Sequence, residues 1–354
     1  MRKIHCMLAA VISLAVMTGT AAAQQSTRIW AIELHGGAGD IFRADTDSQT
    51  DGAYRATLTE AIRAGAAVLD KGGSSMDAVE TAIRILEDST LFDAGRGAFF
   101  AANGRNEMDA AIMDGSNLKA GAVACVTRTR HPISLARTVM DKSPHVMIVG
   151  QGADTFSVRA GLEQVSPSFF FSEPRWQALV DQLKREGRPI PPRPDSVPPP
   201  PAGPVSALSV SRDYRFGTVG VVALDRRGNL AAGTSTGGSQ AKLPGRVGDS
   251  PIIGAGTYAS NASCAVSATG EGEYFIRLGA AREVCNLVQF RGMPLQQAAD
   301  EVIHKEVQEL GGEGGVIALT PDGQAVWSFN TPGMFRARLA EGGKLKVLVY
   351  GDEQ

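Results

Sequence analysis

The sequence predicts a layered α/β sandwich, and three observations predict it. Two amphipathic helical patterns follow one another closely between Thr57 and Leu86. Short apolar runs of strand length, bounded by glycine or proline, lie around that pair and recur in the C-terminal half. There, two more helical patterns sit between the strand runs, so strands outside and helices within point to sheets covered by helices.

Taken in order, residues 30–34 read as the first strand, followed by the glycine cluster His35-Gly36-Gly37-Ala38-Gly39. Glycines there permit close backbone approach, to a ligand or to another strand. His35 reads as structural, since no second histidine stands at metal-ligand spacing. Leu58, Ala61, Ile62, Val68 and Leu69 keep helical spacing, and Gly72-Gly73 stops that helix. Ser74 or Ser75 caps the next, which buries Val79, Ala82, Ile83 and Leu86 on one face, so the two helices form a pair. Residues 121–126 and 146–149 read as strands, as do 220–224, 230–236, 316–319 and 326–329, with helices over 275–288 and 295–310.

Between the halves lies a proline-rich stretch, 188–205, with Pro189, Pro191, Pro192, Pro194 and then Pro198 to Pro201. Such a run forms neither ladder nor helix, and it reads as the core of an exposed flexible linker over about 187–215. The rival reading is a docking peptide for a proline-binding partner.

Composition bounds the partners. The 354 residues are 43% apolar and 20% charged, with a formal net charge of -2, so nothing calls for nucleic acid or a membrane surface, and a small-molecule substrate is the open reading. Arg2 and Lys3, an apolar run over 7–17 and Ala21-Ala22-Ala23 before Gln24 have the three-part layout of a secretory signal. Residues 1–23 are expected to be removed and the protein exported, to the periplasm or beyond; the apolar run is short of the roughly 20 residues of a membrane span. Cys125, Cys264 and Cys285 then remain, an odd number without metal spacing among small apolar neighbours, where buried free thiols are common; at most one pair forms.

The chemistry gathers in four places. Phe216-Gly217-Thr218-Val219-Gly220 follows the linker and opens a buried strand, and 234–236 closes its mate. If Arg226-Arg227-Gly228 is a three-residue turn with Gly228 left-handed, positions summing to about 454 face each other and Thr218 lies opposite Thr236. Such a threonine pair can simply hydrogen-bond across strands. A small Gly217 before Thr218 is also how a chain looks when that peptide bond is attacked by the threonine hydroxyl and broken. A freed N-terminal threonine carries its own base, an α-amine with an unperturbed pKa near 8. A Ser-His-Asp site has little support, since there are five histidines and one of them lies in the signal.

Next, Arg246 can grip a carboxylate through two parallel hydrogen bonds and Asp249 can receive an ammonium, which together suit a zwitterionic amino acid; the plain alternative is a surface salt bridge. Residues 267–273 read as a glycine-rich turn entering a helix. There Thr269 and backbone N–H groups either stabilise an oxyanion or merely cap. The stretch is a poor match to phosphate-loop spacing.

The order of motifs is specific: HGGAG at His35, FDAGRG at Phe92, MDGSNLKAGAV at Met113, SPHVM at Ser143, GTVGVVALD at Gly217, TSTGG at Thr234, LPGRVGDSPIIGAG at Leu243 and ATGEGE at Ala268. Over nearly all of the chain outside the proline-rich stretch, it resembles the isoaspartyl peptidase and plant-type L-asparaginase family of N-terminal-nucleophile hydrolases. The resemblance implies a four-layer αββα sandwich cut between Gly217 and Thr218 into an alpha subunit, 24–217, and a beta subunit, 218–354. It implies Thr218 as nucleophile and base, supported by Thr236, with Arg246 on the substrate α-carboxylate and Asp249 on its α-amine. Thr269 and Gly270 would form the oxyanion hole and Gly272 line the pocket. No cofactor is required. A structural sodium ion on backbone carbonyls of Leu86, Glu87, Ser89, Phe92, Ala94 and Arg96 is implied, as is a dimer of cleaved units. The substrates implied are L-asparagine and β-aspartyl peptides. Glu271 departs beside the oxyanion turn, where its charge tunes substrate choice. The rivals are a glycosylasparaginase, disfavoured because Gly217 and not aspartate precedes Thr218, and a non-catalytic periplasmic amino-acid-binding protein.

Overall fold

The computed structural model describes residues 29–194, 197 and 217–353. The segment read as an export signal, and most of the proline-rich stretch, lie outside the described residues.

In chain order, the first part contains β1 (Ala31–Gly39), α1 (Ser48–Asp70), α2 (Ser75–Asp88), β2 (Met108–Asp114), β3 (Ala120–Val126), α3 (Pro132–Lys142), β4 (Met147–Val149), α4 (Gly150–Arg159) and α5 (Glu173–Arg185). The second contains β5 (Val219–Leu224), β6 (Leu230–Thr236), β7 (Thr257–Ala259), β8 (Ala265–Gly270), α6 (Gly272–Leu278), α7 (Ala280–Arg291), α8 (Leu295–Glu301), β9 (Gly314–Leu319), β10 (Ala325–Phe329), β11 (Gly333–Ala340) and β12 (Lys346–Tyr350). The fold is mixed α/β with two sheets, one of eight strands in the order β12-β11-β1-β5-β6-β2-β3-β4 and one of four, β10-β9-β8-β7.

Three apolar clusters tie these elements together. Leu58, Ile62, Val79 and Ile83 of α1 and α2, with Ile133 of α3, pack on Ile32, Leu34, Ile112, Val219 and Val221 of the larger sheet. Ala31, Val222, Leu230 and Ala232 meet Ala265, Ile317 and Leu319 of the smaller sheet. The alternate residues Val266, Ala268, Val316 and Ala318 pack on Val284 of α7 and Ala298 of α8. Alternation along each strand thus sends neighbouring residues into different clusters.

Several boundaries differ from expectation. Helix α1 reaches back to Ser48 because Asp47 caps it, accepting from the Thr50 N–H at 2.8 Å, while Ser74 caps α2 as read. The HGGAG cluster lies inside β1, not after it; the ladder to β11 shifts between His35 and Ala38, and a Cβ on Gly36 would lie 2.5 Å from the Phe92 ring. The 267–273 turn is mostly strand: β8 runs through Gly270, leaving Glu271 alone before α6. The single helix expected over 275–288 is two, split at Gly279 in the left-handed conformation, and α8 widens into a π-turn over Val302–Val307.

The predicted β5–β6 hairpin forms in the expected register, with Val219 opposite Ser235 and Gly220 opposite Thr234. Gly228 is left-handed at φ +83°, and Asp225 Oδ1 accepts from the N–H groups of Arg227 and Asn229. Two further corrections concern cysteines and prolines. Cys264 and Cys285 form a disulfide joining the start of β8 to α7, so they are not free thiols; Cys125 is free and half-buried. The start of the proline-rich stretch is held rather than loose: Arg193 makes a two-pronged bond to Glu173, and Arg188 donates to the carbonyl of Ala241. Among the described residues no helix is long and apolar enough to cross a membrane.

Candidate active site

The two hairpin ends deliver the threonines. Thr218 is the last residue before β5 and Thr236 the last of β6; both are buried, and the Thr218 hydroxyl donates to Thr236 Oγ1 at 3.0 Å. Thr236 Oγ1 also accepts from the Gly238 N–H at 2.9 Å and donates to Asp93 Oδ2 at 3.4 Å. Asp93, in the loop after α2, organises this end of the sheet. Its N–H donates to the carbonyl of Gly217 at 3.1 Å, its carbonyl accepts from Gly237, and Oδ1 accepts from the Phe99 N–H. Burial pushes its carboxyl up to about 7, against the pull of Arg175 and of Lys242. Asp93 was visible in the sequence only as a member of the FDAGRG motif, with nothing to give it a role.

A cavity of about 160 Å³ opens over the pair, lined by Gly217, Thr218, Thr236 and Gly238 on one side and Arg246, Asp249, Gly270, Glu271 and Glu273 on the other. Arg246 and Asp249 are both present, but not as a salt bridge to each other. Arg246 pairs with Glu273 through Nε at 2.9 Å and Nη2 at 2.8 Å, a partner sequence reasoning missed because it lies on another element. Arg246 in turn holds the Glu273 carboxyl below its usual range. Asp249 is buried, its Oδ2 has no partner, and burial raises its pKa to about 7 despite Arg246. A buried, unpaired carboxyl oxygen is an unmet demand for a donor.

Thr269, one residue before the end of β8, is fully buried, and its hydroxyl also has no partner. Gly270, at φ +150°, forms part of the cavity wall; a Cβ there would lie 2.4 Å from the carbonyl oxygen of Glu313. Gly272 lies behind the wall instead of lining it: a Cβ would meet the Asp249 N at 2.8 Å, so its role is close packing under the Asp249 loop.

In the loop after α2, the implied carbonyls of Leu86, Phe92 and Ala94 already accept from the N–H groups of Ser89, Ala94 and Gly97, while those of Glu87 and Ser89 are crowded by glycines. A Cβ on Gly97 would lie 1.9 Å from the Phe92 oxygen and 3.1 Å from the Ser89 oxygen, and one on Gly95 would lie 2.2 Å from the Glu87 oxygen. Gly97 therefore sits against two of the implied carbonyls and Gly95 against a third, with no room for a side chain at either position. The Glu87 carboxyl, raised to about 8 by burial, accepts from the Ile133 N–H and from Ser235 through one oxygen. Among the described residues no cluster of three or more His, Cys, Asp or Glu is placed to hold a metal.

Paired hydroxyls, a cation and an unpaired carboxyl around one small polar cavity are the equipment of a hydrolase, and comparison with known proteins agrees. The chain belongs to the asparaginase family, whose model matches residues 28–349. It is similar to an isoaspartyl peptidase of Escherichia coli, 45% identical over 306 residues that cover 86% of this chain and 91% of that one. It is similar also to a probable isoaspartyl peptidase/L-asparaginase of Arabidopsis thaliana, 40% identical over 329 residues, 91% and 99% of the two chains.

Proposed function

We propose that the chain cuts itself between Gly217 and Thr218 and then hydrolyses the side-chain amide of L-asparagine and of β-aspartyl peptides. The observation that carries this is the Thr218–Thr236 hydroxyl pair beneath a cavity that also holds Arg246 and an unpaired Asp249. In the precursor, Thr218 Oγ1 attacks the Gly217 carbonyl carbon, whose oxygen already accepts from the Asp93 N–H. The C–N bond breaks, the amide nitrogen takes a proton, and water then splits the resulting ester, leaving a carboxylate on Gly217 and a free amine on Thr218.

In the mature site, Arg246 holds the substrate α-carboxylate and Asp249 its ammonium. The α-amine of Thr218 takes the hydroxyl proton as Oγ1 attacks the side-chain carbonyl carbon. Charge developing on the carbonyl oxygen is met by the unpaired Thr269 hydroxyl and the Gly270 N–H. The leaving amine departs with the proton, and water hydrolyses the β-aspartyl ester to release aspartate. The relatives named as isoaspartyl peptidases and asparaginases support this reading over a sugar-bearing asparagine substrate or ligand binding without turnover.

The same reading includes a four-layer αββα arrangement, supported by the three apolar clusters, and a sodium ion stiffening the carbonyl loop, supported by the carbonyls of Glu87, Ser89 and Phe92 packed beside Gly95 and Gly97. It includes export, supported by the Cys264–Cys285 disulfide, a feature of oxidising compartments, and assembly as a dimer of cleaved units. The test is intact mass with N-terminal sequencing of purified protein. Two fragments, the smaller beginning Thr-Val-Gly-Val, are expected; a single stable chain would overturn the self-cleaving mechanism.

A further inference from the structure

We propose that His35 is a positioning residue for Thr218, acting at one end of a buried chain of hydroxyls that runs between the two sheets to the loop carrying Asp249. The inference rests on Thr218 being the nucleophile, as proposed above.

His35 is fully buried, with Nδ1 3.1 Å from the carbonyl oxygen of Thr218 and Nε2 2.9 Å from Ser267 Oγ. A carbonyl only accepts, so Nδ1 carries the proton, and Nε2 must then accept from Ser267. Burial keeps the ring neutral, its pKa lowered to about 3, so this tautomer is not disturbed near neutral pH. Ser267 Oγ lies 2.7 Å from Thr234 Oγ1, and Thr257 Oγ1 lies 2.6 Å from Thr234 Oγ1 and 3.0 Å from the carbonyl of Ser250, the residue after Asp249. Each hydroxyl has one proton. Ser267 gives its proton to His35 and His35 gives its own to Thr218, whereas Thr234 has a choice between Ser267 and the Gly256 carbonyl at 3.1 Å and Thr257 between Thr234 and the Ser250 carbonyl. Where Thr257, Thr234 and Ser267 all donate towards His35, the donors polarise one another in a low-dielectric interior.

The position of Thr218 makes this contact matter. It precedes β5, and once the bond to Gly217 is cut nothing upstream holds it, so its carbonyl is the main-chain handle that remains. Space for the contact comes from Gly220. A Cβ there would lie 1.9 Å from Ser267 Oγ and 2.3 Å from His35 Nε2, so the second glycine of GTVG is the price of the His35–Ser267 bond. His35 does not line the cavity. Losing it should therefore misaim the hydroxyl without weakening substrate binding, and misplacement by about 1 Å costs on the order of 10²-fold in rate.

The experiment compares His35→Asn and His35→Gln, because the Asn amide nitrogen overlays Nδ1 and the Gln amide nitrogen overlays Nε2. Self-cleavage rate, kcat per cleaved chain and KM for a β-aspartyl dipeptide are measured with the melting temperature. Asn is expected to keep kcat within about threefold of wild type and Gln to lose about 10- to 100-fold, with KM within about threefold in both. Equal loss in the two variants, or a loss carried by KM, would overturn the proposal. Should either variant fail to fold, Ser267→Ala frees the ring to take its other tautomer and should lower kcat several-fold; a wild-type kcat there overturns the proposal too. Thr218→Ala tested alongside separates the two levels, since self-cleavage or turnover in that variant would sink the nucleophile assignment itself.

Discussion

At pH 5 the substrate ammonium would meet an acid rather than a carboxylate at Asp249. Burial raises this group to about 7, and the nearby Glu273 adds to the rise while Arg246 opposes it. Two units below that pKa only about 1% of the free enzyme has Asp249 ionised, and ionising the rest costs about 2.7 kcal/mol at 1.36 kcal/mol per unit. KM should therefore rise about 100-fold between its plateau above pH 7 and pH 5. In the complex the bound ammonium keeps Asp249 ionised, so kcat is spared this effect. The α-amine of Thr218, the proposed base with an unperturbed pKa near 8, should act in both free enzyme and complex and so show in kcat. Initial rates of β-aspartyl dipeptide hydrolysis from pH 4.5 to 8.5, fitted separately for kcat and KM, divide the two groups. Asp249→Asn should cost on the order of 2 to 5 kcal/mol in kcat/KM and abolish the acid limb of KM. A KM that stays flat from pH 5 to 8 in the wild type, or an unchanged limb in Asp249→Asn, would refute the assignment.

Three more outcomes are expected. Arg246→Ala should mature normally and melt within a few degrees of wild type, since its partner Glu273 is largely exposed and such pairs contribute about 0 to 1 kcal/mol, yet lose about 30- to 5,000-fold in kcat/KM; turnover at the wild-type level removes Arg246 from the substrate. Glu33 is buried with both carboxyl oxygens unpartnered, and burial raises its pKa well above the usual range, so the folded state keeps a proton that the unfolded state releases near pH 4 and the group costs stability as pH rises above that. Glu33→Gln should therefore gain melting temperature relative to wild type from pH 5 to pH 8, and a constant difference would contradict the linkage. Replacing sodium chloride by choline chloride should lower the melting temperature of wild type, whereas Gly97→Ala, whose Cβ would lie 1.9 Å from the Phe92 oxygen, should start lower and not respond; a wild type indifferent to the exchange argues against the ion.

The parts legible in the sequence were those set by local rules. The hairpin register followed from period-two alternation around one left-handed glycine, Gly228, and so brought Thr218 and Thr236 together without any tertiary information. The α1–α2 pair followed from helical spacing and the Ser74 cap. What escaped was set by residues far apart in the chain. Nothing near Arg246 indicates that Glu273 will hold its Nε edge, and nothing near Cys264 indicates that Cys285, one helix away, lies within bonding distance. Glycines were the most misleading class, because flexibility and crowding look alike in a sequence. The HGGAG cluster read as an end of strand, yet Gly36 stays in β1 to clear the Phe92 ring.

Gly220 shows why the polar chain between the sheets stayed hidden. As sequence it is one more small residue in a buried strand, equally consistent with sheet packing. Its meaning appears only when β1 brings His35 opposite it and β8 lays Ser267 across it, 185 and 47 positions distant from it in the numbering. The structural reading of His35 foresaw no consequence, whereas the buried imidazole has both nitrogens in hydrogen bonds. The acceptor of its Nδ1 proton is the carbonyl of Thr218, the residue proposed to carry the nucleophilic hydroxyl. A residue can therefore be structural by every local criterion and still set the aim of the reaction, because at a chain end structure and aim are the same degree of freedom.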